Sequence, residues 1–91
     1  MFEQKRKNGT VRFSVKPHHG VKKVLLAGDF NGWKPVAMRK QKQGDFVAIL
    51  PLKAGSYEYK FIVDGQWAID PDNDAWASNS FGSVNSVAIV E

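Results

Sequence analysis

Apolar and polar residues alternate with a period of two along most of this chain, and turn residues interrupt the alternation about every 8–12 positions. Thr10–Lys16 sets Val11, Phe13 and Val15 against Thr10, Arg12 and Ser14, and Pro17 ends the run. Lys23–Gly28 contains the unbroken stretch Val24-Leu25-Leu26-Ala27, the pattern of a strand covered on both faces. Val36–Lys40 is weaker, with Val36 and Met38 alone in phase. Phe46–Leu52 follows a Gln43-Gly44-Asp45 turn and places Phe46, Ala48 and Leu50 on one side. Ser56–Val63 carries Tyr57, Tyr59, Phe61 and Val63 in strict alternation, and Ser83–Val90 brings Val84, Ala88 and Val90. No stretch shows the 3.6-residue period of a three-turn helix. Six or seven short strands without helix predict an all-β fold, an antiparallel β-sandwich of immunoglobulin-like type.

The register of one hairpin can be expected from the sequence. Val63-Asp64-Gly65-Gln66 holds Asp-Gly between two strand-like runs, the signal for a two-residue type I′ loop. Val63 should then oppose Gln66, Ile62 should oppose Trp67, and Lys60 should oppose Ile69. Directly paired residues share a face, as do residues two apart. This register predicts Lys60, Ile62, Trp67 and Ile69 on one face, with Phe61 and Val63 on the other.

Ninety-one residues make a single domain, expected over residues 10–91, with 1–9 as a basic N-terminal segment. The absence of cysteine excludes disulfide frameworks, thiolate metal sites and cysteine nucleophiles. No secretory h-region and no apolar run near the roughly 20 residues of a membrane span are found, so a cytoplasmic protein without membrane contacts is expected. The net charge of +4 is uneven: residues 1–44 carry eleven Lys and Arg against Glu3 and Asp29, while residues 45–91 carry Lys53 and Lys60 against seven acids. Sequence halves interleave in a sandwich, so no single basic face follows, and nucleic acid is not an expected partner.

Catalytic and metal chemistry find little support. His18 and His19 are adjacent, which is the wrong spacing for chelation from a strand, and they read as a polar turn. Asp70-Pro71-Asp72-Asn73-Asp74 begins like a calcium loop, but Ala75 stands at the glycine position and Phe81 at that of the bidentate glutamate. It reads as a solvated turn. No carboxylate pair flanks an evident cleft, so no enzyme and no cofactor are expected.

The three tryptophans are more informative because they sit beside turns. Trp33 leaves the Asn31-Gly32 turn, Trp67 follows Asp64-Gly65, and Trp76 lies in the polar loop Asp70–Ser80. Flanking polar residues predict that Trp33 and Trp67 are exposed. An exposed indole offers a flat apolar face to the C–H side of a pyranose, while lysine donates to hydroxyls and asparagine both donates and accepts.

Val24-Leu25-Leu26-Ala27-Gly28-Asp29-Phe30-Asn31-Gly32-Trp33, Tyr59-Lys60-Phe61-Ile62-Val63-Asp64-Gly65-Gln66-Trp67 and Phe81-Gly82-Ser83-Val84-Asn85 together resemble one known family. It is carbohydrate-binding module family 48, the early-set domain of isoamylase-type enzymes and of the AMP-activated protein kinase β subunit. The similarity runs from about Val11 to Val90. It implies non-catalytic binding of glycogen-like α-1,4-glucans, as polysaccharide or oligosaccharide, with Trp33 and Trp67 as sugar platforms and Lys60 and Asn85 fixing hydroxyls. Phe81 and Ser83 stand at the rim, where the kinase branch has leucine and threonine, and the preceding loop is one residue longer. A glycogen-metabolising enzyme or kinase is the implied protein partner. The alternative is an adaptor domain that docks on such an enzyme without binding sugar.

Overall fold

In the computed structural model, residues 2–5, 9–80 and 82–91 are described. Ten strands follow one another: β1 (Phe2–Lys5), β2 (Thr10–Val15), β3 (Val24–Gly28), β4 (Val36–Ala37), β5 (Arg39–Lys40), β6 (Phe46–Pro51), β7 (Gly55–Val63), β8 (Gln66–Ala68), β9 (Trp76–Ser78) and β10 (Val84–Val90). They form a four-stranded sheet, β1-β2-β6-β5, and a six-stranded sheet, β4-β3-β7-β10-β9, in which β8 also pairs with β7. Every pairing is antiparallel. This is the expected β-sandwich.

Alternation drives the packing. Val11, Phe13 and Val15 point from β2 into the interior, where they meet Val24 and Leu26 of β3, Tyr59 and Phe61 of β7, and Ala88 and Val90 of β10. Phe13 sits at the centre: its ring lies 5.0 Å from Tyr59 in an edge-on arrangement and 5.2 Å from Phe30. Edge-on rings are the favoured geometry of the aromatic quadrupole. Leu25 and Ala27 face the other way, and pair with Ile62 and Lys60 on the outer side of the six-stranded sheet. Ala27 is fully buried there, which accounts for the unbroken apolar run of β3.

The Asp64-Gly65 hairpin has the expected register, Val63↔Gln66 and Ile62↔Trp67. Both central residues have positive φ, 46° and 85°, as a type I′ turn requires. The tip is also tied down, because the Asp64 carboxylate accepts the backbone N–H of Lys22 at 3.1 Å and of Lys23 at 2.8 Å.

Four expectations need correction. The run Val36–Lys40 is two strands: Val36–Ala37 pairs with β3, and Arg39–Lys40 pairs with β6 of the other sheet. Met38 is the corner, buried between them, with its N–H donating to the Val24 carbonyl at 3.0 Å. Its weak alternation reflects this change of sheet. Pairing of β8 stops at Phe61↔Ala68, so Lys60 does not oppose Ile69, which lines a separate groove with Phe61 and Val63. The loop Asp70–Ser80 contains edge strand β9, paired with β10. Asp70 is not solvated but buried. Its Oδ2 accepts the Tyr59 hydroxyl at 2.7 Å, its Oδ1 accepts the Asp72 N–H, and its own N–H donates to Ser86 Oγ at 2.8 Å. In addition, the segment 1–9 supplies β1, which pairs with β2 from Phe2↔Phe13 to Lys5↔Thr10.

Candidate functional site

Glu58 and Lys60 face outward from β7, and a groove of about 580 Å³ runs across them. Asp29, Trp33, Glu58, Lys60, Trp67, Asn79, Ser83 and Asn85 line it. Three loops converge here: the turn after β3, the β7–β8 hairpin, and the β9–β10 connection. Of the sequence-derived site residues, the fold brings Trp33, Lys60, Trp67, Ser83 and Asn85 together. Phe81 lies outside the described residues.

Trp67 is 55% exposed, as expected, but the expectation of an exposed Trp33 needs correction: its ring is half-buried against Trp67 and the groove wall. Their ring centroids are 6.4 Å apart and their planes are tilted by 50°. Trp67 is placed by the hairpin, standing opposite Ile62, whose side chain is buried under the outer face. Trp33 is placed by a tight turn. Asp29–Asn31 forms one 3₁₀ turn, and Asn31 Oδ1 accepts the Gly28 N–H at 3.1 Å. Trp33 then adopts φ 62°, and its N–H returns to the Gly28 carbonyl at 2.9 Å. The left-handed region costs a bulky residue about 1 kcal/mol or more, and such outliers collect at functional sites. Gly28 is required at the start of this turn. A Cβ there would lie 2.7 Å from the Glu58 carbonyl oxygen and from the Phe30 ring.

A chain of polar contacts crosses the groove floor. Lys60 Nζ donates to Ser83 Oγ at 3.2 Å, and Asn79 Nδ2 donates to the same oxygen at 2.7 Å. Asn79 Nδ2 also reaches Asn85 Oδ1 at 3.3 Å, and Asn85 Nδ2 donates to Glu58 Oε1 at 3.0 Å. Asn85 is therefore part of the floor, only 7% exposed, with its amide orientation set from both ends. An amide nitrogen still carries a second hydrogen and the oxygen a second lone pair, and an ammonium has three donors. Sugar hydroxyls are matched by such groups.

Asp29, Glu58 and Asn79 are absent from the sequence-derived set. Glu58 was within reach, since it shares the phase of Lys60 in the alternation of β7. Asn79 was not, because its placement depends on the β9–β10 pairing that the polar loop concealed. Trp76 is 62% exposed but is in register with Ser86 and Tyr59, whose side chains face inward. It hangs from the edge strand, away from the groove.

The fold is an antiparallel β-sandwich domain with paired indoles and a polar floor on one sheet face. The comparison with known families is specific. Residues 11–91 match the family described as the glycogen recognition site of AMP-activated protein kinase, and the chain belongs to that family. It is 42% identical over 72 residues to 5'-AMP-activated protein kinase subunit beta-1 of Rattus norvegicus, a match covering 79% of this chain and 26% of that protein. It is 36% identical over 77 residues to subunit beta-2 of Homo sapiens, covering 85% of this chain and 28% of that one. The chain thus spans about a quarter of the length of these relatives. The crystal structure of a maltogenic amylase from S. marinus superposes with a TM-score of 0.74 at 26% identity, over 90% of this chain and 13% of the amylase.

Proposed function

We propose that this domain binds α-1,4-glucans of the glycogen and starch type without acting on them chemically. One observation carries the reading: Trp33 and Trp67 present tilted rings 6.4 Å apart in a single groove. Adjacent glucose residues of a curved chain can each lay their C–H face on one ring. Lys60, Ser83 and Asn85 supply hydroxyl partners from the floor. Each stacked ring contributes about 1 kcal/mol, so affinity for one short oligosaccharide is modest and grows through many linked sites on a polymer. As part of a longer polypeptide resembling the kinase β subunits, the domain would hold a kinase assembly against cytoplasmic glucan. Sedimentation with insoluble amylopectin or glycogen tests the proposal. The wild-type domain should pellet with the polysaccharide, and Trp67→Ala should stay in the supernatant. A wild-type chain that remains soluble at millimolar oligosaccharide equivalents would leave the adaptor reading in its place.

A further inference from the structure

Asp29 makes two hydrogen bonds that belong to different parts of the molecule. Its Oδ1 accepts the indole N–H of Trp33 at 2.9 Å, and its Oδ2 accepts the backbone N–H of Glu58 at 2.8 Å. One carboxylate thereby fastens a groove-facing ring to the neighbouring strand β7. These two bonds are additional to those that close the turn, which run from Trp33 N–H to the Gly28 carbonyl and from Gly28 N–H to Asn31. The turn fixes where the Trp33 backbone is; it leaves the ring free to rotate about its side-chain torsions. Besides packing against Trp67, the bond at the indole nitrogen sets the plane of the ring.

We infer that Asp29 is a positioning residue for the glucan platform, acting on sugar through the Trp33 ring and resting on the glucan-binding reading above. A ring held at one tilt to Trp67 need not be ordered when the sugar arrives, so the ordering cost of binding falls. The chemistry of the residue is specific. Each carboxylate oxygen serves a separate N–H donor, and both are charge-assisted bonds. An isosteric amide has one acceptor oxygen, and its NH₂ would face the second donor. Asparagine can therefore keep the ring or the strand, but not both. Serine, with a single short hydroxyl, cannot span the two.

The experiment is a double-mutant cycle read by indole resonances and by titration with β-cyclodextrin. The Trp33 indole N–H signal is assigned by its disappearance in Trp33→Phe. In Asp29→Asn, that signal should move and exchange faster with solvent, while the Trp76 indole signal stays in place. Cyclodextrin affinity should fall by about fivefold or more, the scale of a charged hydrogen bond discounted for exposure. In the Trp33→Phe background, which has no indole N–H, Asp29→Asn should change affinity by less than about twofold. Equal losses in the two backgrounds would mean that Asp29 touches sugar directly or acts through β7, and would overturn the inference. So would a Trp33 signal that stays in place in both Asp29→Asn and Asp29→Ser. If Asp29→Asn does not fold, Asp29→Ser is measured the same way, and failure of both to fold assigns Asp29 to the fold and overturns the inference. Should the wild type bind no glucan, the functional reading falls, while the indole signals, recorded without sugar, still decide whether Asp29 holds the ring.

Discussion

Trp33 and Trp67 come from turns 34 positions apart in the sequence, yet their rings stand 6.4 Å from each other at a tilt of 50°. Neither turn could place its ring alone. The Trp67 hairpin is pinned through Asp64 to the N–H groups of Lys22 and Lys23, at the entrance to β3, and the Trp33 turn leaves from the end of that same strand. β3 therefore measures the spacing of the pair.

Removal of either ring should weaken glucan binding. Trp33→Ala and Trp67→Ala should each raise the Kd for maltoheptaose at least about fivefold, from the loss of about 1 kcal/mol or more of stacking. Trp76→Ala should leave it within about twofold, because that ring is outside the groove. Isothermal titration of the three variants beside the wild type checks both expectations.

Binding should be nearly insensitive to ionic strength. The proposed ligand is neutral, and the proposed contacts are stacking and hydrogen bonds. A Kd that changes less than about twofold between roughly 50 and 500 mM salt is the expected result. A polyanion held by the basic residues of 1–44 would instead show a steep decline.

Gly28→Ala should destabilise the whole domain. The added methyl would press on the Glu58 carbonyl at 2.7 Å, and backbone in a central strand has no room to yield as the Phe30 ring does. Overpacking of this kind costs about 1–3 kcal/mol. Urea denaturation should show a lower midpoint with an unchanged slope.

Tyr59→Phe should cost about 1–3 kcal/mol, because it strips the buried Asp70 carboxylate and the Asn73 amide of a shared partner. It should also change the alkaline limb of stability. Burial pushes the Tyr59 phenol well above its ordinary value, opposed by the hydrogen bond from Asn73 and reinforced by Asp70. In alkali the folded state then holds a proton that the unfolded state releases. Its contribution is whole below about pH 10 and is lost as the pH rises beyond that. Urea midpoints measured from pH 8 to 11 should fall more steeply for wild type than for Tyr59→Phe.

Strands with strong alternation were legible in the sequence almost to the residue, because the period-two pattern of Val11, Phe13 and Val15 or of Tyr57, Tyr59 and Phe61 records which face is buried. The hairpin at Asp64-Gly65 was legible for a different reason: its backbone conformation admits few residue types. What stayed hidden depends on contacts between distant segments. β9 has no apolar alternation of its own and exists through pairing with β10. Asp70 looks like a surface acid until Tyr59 and Ser86 are seen around it. Trp67 was readable as an open ring from its turn neighbours, whereas Trp33 is half-buried through contacts with distant segments, and Asp29 bonds to Glu58, 29 positions away, which no local pattern announces.

The passage of Val36–Lys40 from one sheet to the other has a mechanical consequence. Met38 is the shortest of the crossings at which the backbone passes between the layers, bonded to β3 on one side and entering β5 on the other. Sliding one layer over the other would have to tear this stitch. If the outer indoles hold a polymer as proposed, a pull on them would be borne by both layers at once.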